Sequence, residues 1–310
     1  MDAFPVELIE VGPRDGLQNE SAPVTTALKL ELVNRLLDAG LRRIEVCSFV
    51  HPGKVPQMAD AEVLCAALPH RLDTRYAGLV LNLRGYERAL ATGRLHEAAL
   101  VVPATDTFGR RNQGQSTAEA LAEAQAIALR APGDGLPWSA TIAVAFGCPF
   151  EGDVAVEIVA GIAQKLAALG PQEIVLADTI GVAVPGQVEQ LAAAVLTATG
   201  GSVPLRGHFH DTRNTGVANV YAGLRAGLRR FDASLGGLGG CPFAPAATGN
   251  VATEDLVYLC ERMGLRTGVD LEKAIAASRW LGTQLGKSLP GMLSRAGPFP
   301  RRQAAAGASQ

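Results

Sequence analysis

Short apolar or β-branched runs recur along this chain, each separated from the next by a segment of helical period. The runs are "VELIEV" from Val6, "RRIEVCSF" from Arg42, "RYAGLV" from Arg75, "EAALVV" from Glu97, "SATIAVAF" from Ser139, "EIVLAD" from Glu173, "LRGHFH" from Leu205 and "FDASLGG" from Phe231. Between them lie segments such as "TTALKLELVNRLLDAG" and "VAVEIVAGIAQKLAALG", several closing on the Ala-Gly or Leu-Gly that ends a helix. Eight strands alternating with helices, with no linker-like break, predict an α/β fold, the TIM (β/α)8 barrel. A doubly wound sheet is the alternative, but it would usually use fewer strands, and no GxGxxG-like phosphate loop follows the first run. The 35 glycines and the 5% aromatic content suit tight strand-to-helix turns better than a β-sandwich.

Past the eighth run the chain continues through "GLGGCPFAPAATGN" and two further helical stretches, "ATEDLVYLCERMG" and "DLEKAIAASRWLGTQLG", expected to flank or cap the barrel. Residues 1–290 are therefore expected to form one catalytic domain and 291–310 a flexible tail, small, polar and proline-broken. A net charge of −2 leaves no global basic field, so nucleic acid is not an expected partner, and an acidic ligand must be met locally. No run reaches about 18 uninterrupted apolar residues, which argues against a membrane span. The five cysteines, Cys47, Cys65, Cys148, Cys241 and Cys260, never pair as CxxC. With an N-terminus that reads as no leader, they point to a reducing, cytoplasmic setting.

In such a barrel the chemistry sits at the C-terminal ends of the strands. The first run ends in "VGPRDGLQNE", where Gly12, Pro13 and Gly16 serve a turn but Arg14 and Asp15 are not needed for one. An exposed ion pair at a surface turn is the bland alternative. The second run carries Glu45 and Ser48, the sixth ends in Asp178 and Thr179, and the seventh ends in "HFHDTRN". His208 and His210 share one face of a strand by its period of two, and in a barrel that face can be the inner one. One helix-capping and one core histidine is the other reading of an HxH pair. Two imidazoles, the carboxylate of Asp15 and an amide such as Asn250 make a mixed N/O site without thiolate. That set suits Mg²⁺ or Mn²⁺ more than structural zinc, with Zn²⁺ and Fe²⁺ left open. Arg14 then has a use beside such a cation, holding a developing oxyanion with its fixed donors. Cys241 differs from the other cysteines in lying in a glycine-rich loop rather than an apolar run, where its thiol can exchange a proton once water is excluded.

Taken together, "EVGPRDGLQNE", "IEVCSFVHPGKVPQMAD", "FGCPFEG", "ADTIGVAVPG", "HFHDTRNTG" and "GLGGCPFAPAATGNVATEDLVY" resemble the hydroxymethylglutaryl-CoA lyase family of metal-dependent acyl-CoA lyases and condensing enzymes, over about Phe4 to Gly286. The resemblance implies metal ligands at Asp15, His208, His210 and Asn250, an enolate-stabilising Arg14, proton transfer by Cys241, and Glu45, Ser48 and Asp178 as surrounding polar groups, with Glu45 and Asp178 counted as catalytic. It implies an acyl-CoA substrate, cleaved in the family from 3-hydroxy-3-methylglutaryl-CoA to acetoacetate and acetyl-CoA, no nucleotide cofactor, and a homodimer. Gln18 and Ser48 are expected against substrate, and Arg110 and Arg111 in "VPATDTFGRRNQG" against CoA phosphates, although an exposed arginine pair is as often a solvated face. Arg213 and Asn214 stand where better-known members carry tyrosine and glycine. Rival readings are a lyase of the same mechanism on a longer 3-hydroxy-3-alkylglutaryl-CoA, a condensing enzyme of the isopropylmalate or homocitrate synthase type, and, outside the superfamily, a zinc hydrolase or a non-catalytic barrel.

Overall fold

The structure, a computed structural model, describes residues 6–240 and 249–299. Eight parallel strands close into a barrel in sequence order: β1 Glu7–Glu10, β2 Arg43–Ser48, β3 Arg75–Val80, β4 Glu97–Pro103, β5 Trp138–Ala143, β6 Ile174–Asp178, β7 Leu205–Phe209 and β8 Arg230–Ala233. Closure comes from β1 pairing with β8, Leu8 opposite Phe231. The helices between them are α1 Thr26–Asp38, α2 Ala61–Ala67, α3 Leu83–Ala91, α4 Asp106–Asn112, α5 Thr117–Asp134, α6 Val156–Ala167, α7 Pro185–Thr199 and α8 Gly216–Arg225. Their ends follow local chemistry. The Thr25 hydroxyl accepts from Leu28 N at the start of α1, Ser116 and Glu119 form a capping box on α5, and glycines in the left-handed region close α5 and α7.

The apolar core lies between sheet and helices, where one stripe of each helix packs on the strands, as Leu32, Val33, Leu36 and Leu37 do on α1. The inside of the barrel is different. Arg43 Nη2 lies 2.7 Å from Glu97 and its Nη1 2.9 Å from Glu173, while Arg206 Nε lies 2.8 Å from Glu173. All four are buried, and the Ser139 hydroxyl donates to Glu97 over 2.6 Å. A charged plug in place of the usual branched aliphatic layers holds only because each charge meets another. A register shift between Glu45 and Cys47 turns the Cys47 thiol toward α2, 3.7 Å from Cys65.

Beyond β8, residues 249–252 run back along the barrel rim, with His210 bridged to Asn250 and Ser234 to Ala252. Helices α9 Thr253–Arg262 and α10 Leu271–Leu285 then pack on each other, and α10 lies against α1. A helical turn, α11 Leu293–Ala296, is fixed by Asp255, whose carboxylate accepts from the backbone N–H of Met292 and Leu293. No helix among the described residues is long and apolar enough to cross a membrane.

Candidate active site

The first strand stops short of Arg14 and Asp15. After Glu10 the chain enters a five-residue π-helical turn, Gly12–Gly16, in which the N–H groups of Arg14, Asp15 and Gly16 all point to Val11 O. Such turns are rare and place side chains where an α-helix would not. Buried Glu10 anchors this one: its Oε1 accepts from Gly12 N at 2.8 Å and Leu235 N at 2.9 Å, and its Oε2 from the Thr253 hydroxyl at 2.6 Å. A Cβ on Gly12 would stand 2.4 Å from Glu10 Oε1, which accounts for the glycine.

The turn delivers Arg14 and Asp15 to the mouth of the barrel. Arg14 donates through Nε to Glu45 and through Nη1 to Asp15 Oδ1 at 2.6 Å. Asp15 Oδ2 accepts from Asn250 Nδ2 at 2.8 Å and lies 3.8 Å from His210 Nε2. The two imidazoles meet with His210 Nε2 3.1 Å from His208 Nε2, and His208 Nδ1 lies 3.0 Å from Asp232 Oδ2. Asp15, His208 and His210 thus offer ligand atoms within 4.8 Å of one another, all from buried residues. On the same Asn250 amide whose Nδ2 donates to Asp15, Oδ1 is buried with no hydrogen-bond partner among the described residues. Two nitrogens facing each other, a carboxylate and an orphaned amide oxygen fit a hard or borderline divalent cation, and they lack the thiolates a structural zinc site would use.

Electrostatics divides the carboxylates. Burial pushes Asp15 up, but the adjacent Arg14 and the two histidines outweigh it and hold the carboxyl well below its usual range. Burial also dominates at Glu45, where it overcomes the attraction of Arg14 and leaves the pKa raised. At His208 burial favours the neutral ring, but Asp232 outweighs it and the pKa is raised. The site lines a cavity of about 180 Å³. Its polar wall carries Arg14, Asp15, Glu45, His208, His210 and Asp232; Leu79, Leu81, Val101 and Phe108 form the apolar wall, with Thr141 and Thr179 between.

Of the residues read from sequence, Arg14, Asp15, Gln18, Glu45, His208 and His210 line this cavity, and Asn250 backs it. Asp178 is turned away from it, its carboxylate accepting from Val182 N and Ala183 N in the turn after β6. Ser48 is buried at the end of β2, off the cavity wall, and its hydroxyl has no hydrogen-bond partner among the described residues. Arg110 and Arg111 sit exposed on α4; Arg110 pairs with Glu119 at 2.8 Å and Arg111 lies over the Phe150 ring. The same helix instead gives Phe108 and Asn112 to the cavity. Cys241 lies outside the described residues, although Gly240, just before it, is on the cavity wall. Sequence reasoning missed Asp232; the signal was an acid at an inward position of the eighth run, "FDASLGG".

The family model described as HMGL-like matches residues 5–281. The (R)-citramalyl-CoA lyase of Chloroflexus aurantiacus is 47% identical, covering 94% of this chain and 95% of that protein. The hydroxymethylglutaryl-CoA lyase of Bacillus subtilis is 42% identical, covering 92% and 95%. Among solved structures, an HMG-CoA lyase from Acinetobacter baumannii in complex with coenzyme A and 3-methylmalate superposes with a TM-score of 0.91 at 40% identity, covering 98% of this chain and 99% of that one.

Proposed function

The chain belongs to the HMGL-like family, and from that premise we propose that it is a divalent-metal-dependent carbon–carbon lyase that cleaves 3-hydroxy-3-methylglutaryl-CoA to acetoacetate and acetyl-CoA. The observation that carries this reading is the convergence of Asp15, His208 and His210 beside Arg14 in one cavity, with Asn250 behind Asp15. A bound divalent ion supplies Lewis acidity there, polarising substrate oxygens.

The chain's own residues supply the rest. Glu45, the cavity-lining carboxylate whose pKa is raised, takes the proton of the C3 hydroxyl. The C3 oxygen forms the ketone as C2–C3 breaks, and that bond's electron pair passes into the thioester as an enolate. Arg14 faces the developing oxyanion with a guanidinium that Glu45 and Asp15 hold in place. The Cys241 thiol delivers a proton to C2, giving acetyl-CoA, and the Glu45 proton returns through water to the thiolate. The apolar wall of Leu79, Leu81 and Val101 excludes water from the carbanion.

A second reading is (R)-citramalyl-CoA, which the same steps would split into pyruvate and acetyl-CoA. It is favoured by the 47% identical relative and by the cavity, where Arg14 is the one arginine or lysine among the described lining residues. An acid with its carboxylate on C3, beside the hydroxyl, needs no second cationic partner a methylene further out. The kcat/KM values for the two thioesters, measured side by side with Mn²⁺, decide between them. A tenfold or greater preference for either acid assigns it, and turnover of neither contradicts the proposal.

A further inference from the structure

His208 presents its two ring nitrogens to different surroundings. Nδ1 lies 3.0 Å from Asp232 Oδ2, while Nε2 is turned to His210, on the side that Asp15 closes. Asp232 is not one of the three converging donors, and among the described residues its hydrogen-bond contact with them is to His208. Its other oxygen, Oδ1, lies 3.3 Å from Arg206 Nη1. Charge neutrality of the barrel plug does not require Asp232, because Arg43 and Arg206 already face Glu97 and Glu173. Its carboxylate is surplus to that balance and bears on the imidazole.

We propose that Asp232 is a positioning residue: anchored by Arg206, its carboxylate holds His208 with the proton on Nδ1, so that Nε2 enters the donor cluster as a lone pair. The proposal rests on the reading of Asp15, His208 and His210 as metal ligands. A neutral imidazole carries one ring proton, and a carboxylate at Nδ1 can only accept it. Metal-ligating histidines are commonly oriented in this way, and loss of the partner typically costs about 10–100-fold in metal affinity. Arg206 sharpens the case because a guanidinium can only donate. In Asp232→Asn the positive charge of Arg206 favours the amide oxygen on its side, which leaves the amide N–H₂ facing Nδ1 and favours a proton on Nε2, where the lone pair is needed.

The test uses the full chain without substrate. ¹⁵N-histidine NMR at about pH 8.5 reads the tautomer, and electron paramagnetic resonance of free Mn²⁺ reads its affinity. The expected result is an Nδ1-protonated His208 in the wild type and an Nε2-protonated ring in Asp232→Asn, with Mn²⁺ bound about 10–100-fold more weakly. Asp232→Glu, which keeps the accepting carboxylate, should retain the wild-type tautomer and recover part of the affinity. A wild-type His208 protonated on Nε2 overturns the proposal and requires no variant to fold. So does an Asp232→Asn protein that binds Mn²⁺ within twofold of wild type. A wild type that binds no Mn²⁺ would overturn the metal reading beneath it.

Discussion

Arg14 is the one arginine or lysine among the described residues that line the cavity. It lies half-buried between Glu45 and Asp15, with desolvation opposed and outweighed by those two carboxylates so that its pKa is raised. As an oxyanion donor it should be worth about 2.7–4 kcal/mol, so Arg14→Gln is expected to lower kcat roughly 10²–10³-fold, as read by acetyl-CoA release at saturating substrate. Wild-type-like turnover in that variant would remove the role. This residue was legible in sequence because a glycine-proline turn has no need of a guanidinium, and the histidine pair because a period of two sends both rings to one face. Asp178 shows the limit of such reading. Its place at a strand end could be read, but its direction is set by two backbone N–H groups of the following turn, Val182 and Ala183, which no spacing rule announces. Asp232 was hidden for a related reason: a single acid in a short run reads as a solvent-facing residue until the register shows that it faces in.

Two buried glutamates govern the elements that carry the site. Glu10 joins the π-helical turn to the start of the loop after β8, and Glu254 accepts from Gly236 N in the same loop. Burial raises both, to about 7. A carboxyl whose folded pKa stands above its unfolded value stabilises most when protonated, so its contribution is full below about pH 4.5 and is lost as pH rises through about 7. For Glu254 the span amounts to on the order of 3 kcal/mol. Glu254→Gln, which cannot ionise, should therefore gain Tm relative to the wild type as pH is raised from about 5 to about 8; a difference that stays flat across the range contradicts the assignment. The turn itself is tested by Gly12→Ala, whose Cβ would press on Glu10 Oε1 and Ser234 Oγ. We expect kcat/KM to fall at least tenfold while stability falls only about 1–3 kcal/mol, as for other overpacked sites. The π-helical form of this turn was not readable in advance, because it depends on Glu10 bonding across to Leu235, far along the chain.

For the whole molecule, the barrel was legible because its eight-fold alternation needs only local periods. Its interior was not. The charged plug draws single residues from β2, β4 and β7 and, in Glu173, the residue just before β6, each unremarkable in its own run. Glu97→Ala would leave Arg43 short of a buried partner and should cost about 3–5 kcal/mol, visible as a lowered urea midpoint; a loss below about 1 kcal/mol would show that the plug does not hold the barrel. The same plug fixes the floor beneath the histidines, so stability and chemistry share a boundary at Asp232. The most direct test of the central claim is acetyl-CoA release from 3-hydroxy-3-methylglutaryl-CoA and from (R)-citramalyl-CoA by the purified full chain, once after EDTA treatment and once with Mn²⁺ restored. Release from at least one thioester that EDTA abolishes and Mn²⁺ restores is the predicted result. Release that persists after the metal is stripped, or none from either thioester with Mn²⁺ bound, would contradict it.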